Sequence, residues 1–273
     1  MKKLIIYIRY FSEYLRYGDF ISILSSFRYV LKRTSHKSDR TIKTSVGTFF
    51  CRKNTNDFQY ANYAYEWNVK RFILEHMHEY SVFIDGGSCI GEYSILLSKN
   101  GIRCFAFEPV PDTFSVLLKN LELNNRDMII QAFPFGLGAE NVKVDFVINS
   151  VNTGASHLAR NGKPGNCKVD IRTFDSVFKE INLSPDDRIL FKLDVEGMET
   201  QAISGAGTFI QSFPNITFVI ENEHTAKDNV KIALNKFAVF EYGVVDKFNF
   251  VAKKLHNIDQ GLNQVIEKHP VQP

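Results

Sequence analysis

The chain lacks several features that would each have fixed its class. Its four cysteines include no Cys-x-x-Cys pair and no zinc-ligand spacing, so neither a disulfide scaffold nor a structural zinc site is expected. The formal net charge is only +3, and without a long run of lysine and arginine no nucleic-acid partner is predicted. No segment reaches the ~18 uncharged apolar residues of a membrane-spanning helix. These absences favour a globular, cytoplasmic protein with reduced cysteines.

The 273 residues, 44% of them hydrophobic, are enough to bury a full core. Residues 1–33 mix aromatic, aliphatic and basic side chains, as an amphipathic helical hairpin would, and the apolar run near the start ends at Arg9, too early for a signal peptide. This hairpin packs on the domain or on a second subunit, or it makes a peripheral contact with a membrane surface. The polar connector that follows predicts an N-terminal helical extension (1–40) and a main domain (41–273).

The stretch VFIDGGSCIGEYSILLSKNGIRCFAFEP, residues 82–109, carries the most specific pattern. An apolar run ends at Asp85, two glycines and a helical pattern follow, and a second apolar run ends at Glu108. Glycines let the backbone approach a ligand closely, and an acid at the next strand tip can accept hydrogen bonds from both hydroxyls of a ribose. The pattern predicts a nucleoside-containing ligand, although the glycines could instead serve packing alone.

The spacing also discriminates between nucleosides. It reads Asp85-x-Gly87-x-x-x-Gly91, not the G-x-G-x-x-G of a dinucleotide site. A carboxylate at Asp85 would repel a pyrophosphate but attract the ammonium of an amino-acid moiety. S-adenosylmethionine has that ammonium and a ribose and lacks phosphate. It is therefore favoured over NAD, and the chain also lacks the Tyr-x-x-x-Lys pair of short-chain dehydrogenases.

Strand and helix patterns alternate along the rest of the main domain, which predicts one doubly wound, Rossmann-like α/β sheet. The sheet is expected to be mostly parallel, with an antiparallel strand near the C-terminus. A β-hairpin at 41–52 and an aromatic-rich helix at 60–78 are predicted to precede it. Further predicted strands lie at 104–107, 128–133, 142–148, 169–172, 189–193, 216–220, 237–242 and 248–253.

Several predicted strands end in acids, at the edge of the sheet where such folds bind ligands. These are Asp85, Glu108, Asp194 with Glu196, and Glu221 with Glu223, followed by His224. Carboxylates could hold a divalent metal, but nothing in the sequence requires one and no metal site is predicted. The Gly/Ser/Asn-rich segment 152–157 is predicted to fold over this edge as a mobile lid.

Four stretches give the chain a specific resemblance. FIDGGSCIGEYSILLSK, AFEPVPDTFSVLLKNLELNN, FKLDVEGMETQAISGA and ITFVIENEH resemble the FkbM-type methyltransferases from about Asp57 to the end of the fifth core strand. This family of class I, S-adenosylmethionine-dependent enzymes is usually described as O-methyltransferases. The resemblance implies methylation of a hydroxyl on a small-molecule acceptor such as a sugar or a glycan. A methyltransferase fold that binds without turnover is the alternative, and a nicotinamide-dependent oxidoreductase a more distant one.

The resemblance also assigns candidate residues. It implies a donor site that comprises Asp85, Gly86, Gly87, Gly91, Glu108, Pro109, Gly136 and Asp194. The candidate catalytic residues are Asp194, Glu196, Glu223 and His224. Removal of the acceptor's proton requires a base within hydrogen-bond reach, for which Asp194 is favoured by position and His224 because histidine titrates near neutral pH. Glu196 could equally serve only to complement a helix N-terminus.

The chain departs from the family at the donor turn. The family commonly reads Asp-Val-Gly-Ala-Asn-Ile-Gly there, whereas this chain has Gly86, Ser88 and Cys89 in place of the Val, Ala and Asn. Loss of the Asn amide puts donor affinity in question, while the two retained glycines predict an unchanged main-chain path.

Overall fold

The computed structural model describes residues 2–159 and 165–258. Its helices are α1 (Lys2–Arg16), α2 (Phe20–Lys32), α3 (Asp57–Tyr60), α4 (Trp67–His76), α5 (Glu92–Ser98), α6 (Pro111–Leu123), α7 (Phe174–Val177), α8 (Glu199–Ser204), α9 (Gly207–Ser212) and α10 (Lys227–Leu234). Its strands are β1 (Arg40–Lys43), β2 (Thr48–Cys51), β3 (Val82–Gly86), β4 (Arg103–Phe107), β5 (Ile130–Phe133), β6 (Gly136–Leu137), β7 (Val142–Val147), β8 (His157–Leu158), β9 (Cys167–Arg172), β10 (Ile189–Leu193), β11 (Ile216–Glu221), β12 (Ala238–Val244) and β13 (Asn249–Asn257).

The central sheet has seven strands in the order β12-β13-β11-β10-β3-β4-β5. Strands β11, β10, β3, β4 and β5 are parallel, and β13 runs antiparallel between β11 and β12. The predicted doubly wound sheet with an antiparallel strand near the C-terminus is therefore confirmed. The chain leaves β3 in one direction toward β4 and β5 and returns to its other side at β10, so the switch point lies between β3 and β10.

Residues that alternate along each strand enter two separate cores, one on each face of the sheet. In β10, Ile189, Phe191 and Leu193 face the core under α7–α10, while Leu190 faces the core under α3–α6. Strands β3 and β10 are buried along their whole length, as expected for parallel strands covered by helices on both faces. This burial explains their nearly continuous apolar sequences.

A second, four-stranded sheet with the order β6-β9-β7-β8 lies outside the central one. The segments predicted as strands at 142–148 and 169–172 pair antiparallel here, with Val142 opposite Ile171. Their alternating exposed and buried residues suit a sheet with one solvated face rather than the doubly covered central sheet. The sequence did not anticipate this separate sheet.

The helix predicted at 60–78 is wrong as a single element. Helix α3 ends at Tyr60, and α4 begins only at Trp67. Between them the side chain of Asn62 accepts a hydrogen bond from the N–H of Ala64 at 2.8 Å, a local turn that competes with helical hydrogen bonding. The break matters because residues 60–66 contribute to the candidate site.

Helices α1 and α2 form the predicted N-terminal hairpin, and β1 and β2 form the predicted β-hairpin. The helices contact the rest of the chain: Tyr14 Oη donates to the carbonyl of Phe58 at 3.0 Å, and Glu13 accepts from the N–H of Ser45. The domain boundary at residue 40 stays a prediction. Within the described residues, no helix is long and apolar enough to cross a membrane, and all four cysteines are free thiols.

Candidate active site

A cleft of about 370 Å³ opens at the carboxyl ends of the central parallel strands, within the range usual for small-molecule sites. The turn after β3 and the tips of β4, β10 and β11 form its floor. Residues 152–156 and the break between α3 and α4 contribute to its walls. The cleft thus lies at the switch point, where ligands bind in open α/β sheets.

The glycine turn after β3 is shaped by contacts within the protein. Gly87 has φ +86, and a Cβ there would lie 1.8 Å from the carbonyl oxygen of Asp194. Gly91, with φ +87, would place a Cβ 2.4 Å from Leu117 Cδ1. The positive φ therefore favours glycine at both positions whatever the ligand, and at Gly87 the backbone of Asp194 leaves no room for a side chain. Of the two, Gly87 also lines the cleft.

Glu108 lies at the tip of β4 with its side chain buried against the turn. Its Oε2 accepts from the N–H of Cys89 at 3.0 Å and its Oε1 accepts from the N–H of Val110 at 2.9 Å. Burial raises the pKa of Glu108 to about 7, although both N–H groups oppose the shift. These bonds fix the carboxyl group, and each of its oxygens keeps a second lone pair that a ligand hydroxyl can use.

Asp85, the other acid predicted at the donor end, is buried and does not line the cleft. Its Oδ2 accepts from Ser94 Oγ at 2.7 Å, while its Oδ1 is buried without a hydrogen-bond partner among the described residues. Burial raises the pKa of Asp85 to about 6, with Lys192 opposing the shift. Gly86 and Gly91 likewise do not line the cleft.

Two further buried polar atoms around the turn have no partner among the described residues: Ser88 Oγ and Glu92 Oε2. Both residues line the cleft. Buried polar atoms are normally hydrogen-bonded, so these suit a ligand that brings its own donors and acceptors. Together with Glu108, the donor end fits a nucleoside that carries an amino-acid group, as S-adenosylmethionine does.

The opposite end of the cleft contains Lys192, which the sequence analysis missed. Its Nζ lies 2.7 Å from Asp194 Oδ2. Burial alone raises the pKa of Asp194, but Lys192 outweighs it, and the net shift is below the usual value. Burial and the adjacent Asp194 charge raise the pKa of Glu221 to about 10. Glu221 therefore stays protonated at neutral pH and can donate to the Asp194 carboxylate.

Glu66 joins this cluster from the break before α4. One side-chain oxygen from each of Glu66, Asp194 and Glu221 lies within 4.8 Å of the others, close enough to hold a metal ion. The ammonium of Lys192 already bonds to Asp194, so the cluster has a cation of its own. The absence of a functional metal site remains a prediction.

Glu196 and His224 form a second pair at the mouth of the cleft. His224 Nε2 lies 3.1 Å from Glu196 Oε2, and the His224 side chain is 46% exposed. Burial and the charges of Asp194, Glu199 and Glu223 raise the pKa of Glu196 to about 8. The pair therefore places an imidazole where an incoming molecule can reach it.

Three residues of the cleft have left-handed backbone conformations without being glycine. They are Glu66 (φ 47), Cys89 (φ 46) and Glu196 (φ 51). Such conformations cost about 1–3 kcal/mol each and cluster at functional sites. The strain therefore adds a reason, independent of side-chain chemistry, to regard this cleft as the functional site.

The loop predicted as a lid does line the cleft, through residues 152–156. Thr153 Oγ1 donates to Asp57 Oδ1 at 2.8 Å, and the N–H of Gly154 donates to Tyr60 Oη at 3.0 Å. These bonds hold the loop over the cleft. His157 lies in β8, just beyond the part that lines it.

The structure thus brings most of the predicted site residues together. The cleft is lined by Gly87, Glu108, Pro109, Gly136, Asp194, Glu196, Glu223 and His224. Lining residues that the sequence analysis did not select include Tyr60, Tyr65, Glu66, Ser88, Tyr93 and Lys192. Of these residues, only Lys192 could have been selected from the sequence, because a single charged residue within the apolar run ILFKL is unusual in a buried strand.

The structure is a doubly wound α/β domain with a ligand-sized cleft at its switch point. Residues 85–260 match the family described as Methyltransferase FkbM domain. The chain belongs to this family, as the sequence predicts. Membership of the family supports S-adenosylmethionine as its methyl donor.

Two relatives are similar in sequence. The chain is 28% identical over 163 residues to the hexuronic acid methyltransferase AglP of Haloferax volcanii, a match that covers 60% of this chain and 64% of that protein. It is 27% identical over 184 residues to Methyltransferase 1 of Beauveria bassiana, covering 55% of this chain and 73% of that protein. The chain thus spans less than two thirds of the Haloferax protein.

Solved structures are more distant. The FkbM methyltransferase of Methylobacillus flagellatus superposes with a TM-score of 0.46 at 18% identity, over 64% of this chain and 44% of that one. A tRNA (uracil-54, C5)-methyltransferase of Pyrococcus abyssi gives a TM-score of 0.43 at 11% identity, over 80% of this chain and 44% of that one. Neither similarity is close enough to bear on function.

Proposed function

We propose that this protein transfers a methyl group from S-adenosylmethionine to a hydroxyl of a sugar or glycan. The observation that carries the proposal is the presence, in one cleft, of a buried acid fixed beside a glycine turn and of an exposed histidine paired with a glutamate. The first suits a nucleoside donor and the second suits deprotonation of an alcohol. S-adenosylmethionine would supply an electrophilic methyl group, which passes to the acceptor oxygen by in-line displacement with S-adenosylhomocysteine as the leaving group.

At the donor end, we assign the ribose hydroxyls to Glu108. Its carboxylate is held by Cys89 and Val110 and keeps free lone pairs. Asp194 carries a lowered pKa because of Lys192, which outweighs the effect of burial, so it remains a carboxylate that attracts the cationic donor. The wall of the cleft at this end is formed in part by Ser88, Pro109 and Gly136.

At the acceptor end, we assign the base to His224. The pKa of Glu196, raised to about 8, leaves a minor ionised fraction at neutral pH that grows as the pH rises. In that form Glu196 accepts a hydrogen bond from His224 Nε2–H across their 3.1 Å contact, and Nδ1 is then the ring nitrogen that takes the proton of the acceptor. Glu196 then stabilises the imidazolium that forms. Asp194, favoured by position in the sequence, is the weaker candidate because its lowered pKa makes it a poor proton acceptor.

The charges at this end favour a hydroxyl over a carboxylate as the acceptor. Glu66, Asp194, Glu196, Glu221 and Glu223 all line the cleft, and mutual repulsion contributes to holding Glu196 and Glu221 protonated. An incoming carboxylate would add another negative charge. The Haloferax relative acts on a hexuronic acid, which supports a carbohydrate acceptor and, by this charge argument, methylation at a ring hydroxyl.

The test is a screen of neutral sugars, uronic acids and their glycosides with isotopically labelled S-adenosylmethionine. Each product is then treated with mild alkali, which cleaves a methyl ester but not a methyl ether. We expect alkali-stable label on a sugar. Alkali-labile label would place the methyl on a carboxylate and overturn the hydroxyl assignment. Tight donor binding without transfer to any acceptor would favour a binding protein with a methyltransferase fold.

A further inference from the structure

Helix α2 turns its polar side toward the domain and its apolar side toward solvent. Its buried residues are Ser22, Ser25 and Tyr29. Its exposed stripe follows the i, i+4, i+7, i+11 spacing of one helix face and consists of Phe20, Leu24, Phe27 and Leu31. A helix that only packed on the domain would bury such a stripe. Because the apolar stripe of α2 faces solvent instead, another molecule is expected to cover it.

Helix α1 extends the same surface. Its Ile8 and Leu15 are exposed, and the Phe11 ring stacks on Phe27 with centroids 5.6 Å apart. The stacking joins the two stripes into one surface, called here the apolar face. It comprises Ile8, Phe11, Leu15, Phe20, Leu24, Phe27 and Leu31. Large exposed apolar patches mark sites of association with proteins or membranes.

The exposed charges of the hairpin itself have one sign. The two acids of residues 5–33, Glu13 and Asp19, are buried and hydrogen-bonded inward, to Ser45 and to Ser22 and Arg40 respectively. The exposed charged residues of this segment are basic: Arg9, Arg16, Lys32 and Arg33. An apolar surface on helices whose own exposed charges are all basic matches the interfacial helices that lie in anionic bilayers.

The same charges disfavour a second copy as the partner. A two-fold interface would set each apolar face against itself, with basic margins meeting and no exposed acid on the hairpin to neutralise them. We propose that the apolar face docks on an anionic membrane surface. The hairpin lies in the lipid headgroup region, with Phe27 and Leu31 inserted toward the acyl chains and Arg16, Lys32 and Arg33 at the phosphates.

Sedimentation of the full chain with vesicles tests the docking. Vesicles of phosphatidylcholine with phosphatidylserine should carry the protein down, whereas vesicles of phosphatidylcholine alone should carry much less, and added salt should weaken the binding. The double variant Leu24→Glu, Leu31→Glu should bind the anionic vesicles at least about tenfold more weakly. Ile232→Glu is the matched control, because Ile232 is 60% exposed on α10, away from the hairpin, and it should bind like the parent chain.

Light scattering of the same proteins separates the alternatives. Each variant is first checked for an unchanged far-ultraviolet circular dichroism spectrum and donor affinity, so that loss of fold is recognised. The proposal is supported if the parent chain binds anionic vesicles and the double variant does not. It is overturned if the parent chain ignores anionic vesicles, if the double variant binds them as well as the parent, or if the parent is a dimer that the double variant dissociates without any lipid binding.

Discussion

The two ends of the cleft, proposed above to bind the donor and the acceptor, are assembled in different ways. The donor end comes mainly from consecutive residues, the turn after β3 and the tip of β4, and backbone N–H groups hold its key acid, Glu108. The acceptor end gathers Glu66, Lys192, Asp194, Glu221 and His224 from three separate segments. One end is set by local backbone geometry, and the other by tertiary packing.

The two ends also differ in how their carboxyl groups are stabilised. At the donor end the carboxyl group of Glu108 is held by two main-chain N–H groups. At the acceptor end several carboxyl groups compete, and their pKa values are driven apart, with Asp194 lowered and Glu221 raised to about 10. Divergent pKa values among neighbouring groups separate proton acceptors from proton donors. Donor binding and proton transfer should therefore respond to different substitutions.

The largest expected effect is at the acceptor end. His224→Asn removes the proposed base and should lower the rate of methyl transfer by ~10²–10⁴, while the affinity for S-adenosylmethionine stays within a few fold. Rapid-quench transfer assays and calorimetry measure the two quantities. His256→Asn, at an exposed histidine on β13, is the matched control and should change neither.

The companion variant Asp194→Asn sharpens this result. If Asp194 only attracts the donor, the transfer rate of Asp194→Asn should fall in proportion to its affinity for S-adenosylmethionine. A large loss of transfer at full donor affinity would return the role of base to Asp194. Full activity of His224→Asn would remove His224 from the mechanism.

The next effect concerns the donor end. Glu108→Ala deletes the acceptor of the proposed ribose hydrogen bonds, each worth about 1.5–3 kcal/mol when charged, and S-adenosylmethionine affinity should fall at least about tenfold. Calorimetry measures the affinity, and thermal unfolding checks that the turn survives the loss of the Cys89 and Val110 bonds. Glu122→Ala, at an exposed glutamate on α6, should bind the donor normally. Unchanged affinity in Glu108→Ala would contradict the assignment.

A smaller effect follows from the pKa of Glu108, raised by burial to about 7. Because the carboxyl group is protonated as the pH falls through 7, the charged acceptor is lost and donor affinity should weaken on the acid side. The expected change is a few fold between pH 8 and pH 6, about tenfold per pH unit at most. The Glu108→Ala variant should lose this pH dependence. A parent protein with a flat profile would show that the ribose contact does not need the charge.

The difference between the two ends also decides what the sequence could predict. The β3–α5–β4 unit, its turn and Glu108 were predicted almost to the residue, because strand, glycine and helix signals there are local. Glu66 and Tyr60 were missed, since the helix predicted at 60–78 is broken and only the tertiary fold brings that break beside Asp194. The small sheet formed by β6, β7, β8 and β9 was not predicted for a similar reason, because periodicity predicts a strand but not the strand with which it pairs. Lys192 could have been selected from its improbable place in a buried strand.

The smallest expected effect tests the departure from the family pattern at Cys89. This residue has φ 46, a left-handed conformation that Asn adopts more readily than other non-glycine residues. Its contact with Glu108 is through the backbone N–H, which any side chain preserves. Cys89→Asn, the residue common in the family, should therefore relieve up to about 1 kcal/mol of strain and raise the melting temperature by about 2–4 °C, with donor affinity changed by less than a few fold. Differential scanning calorimetry and titration with S-adenosylmethionine measure both. A large gain in donor affinity would instead show that the Asn amide contacts the donor, and that the donor end depends on a side chain as well as on its backbone.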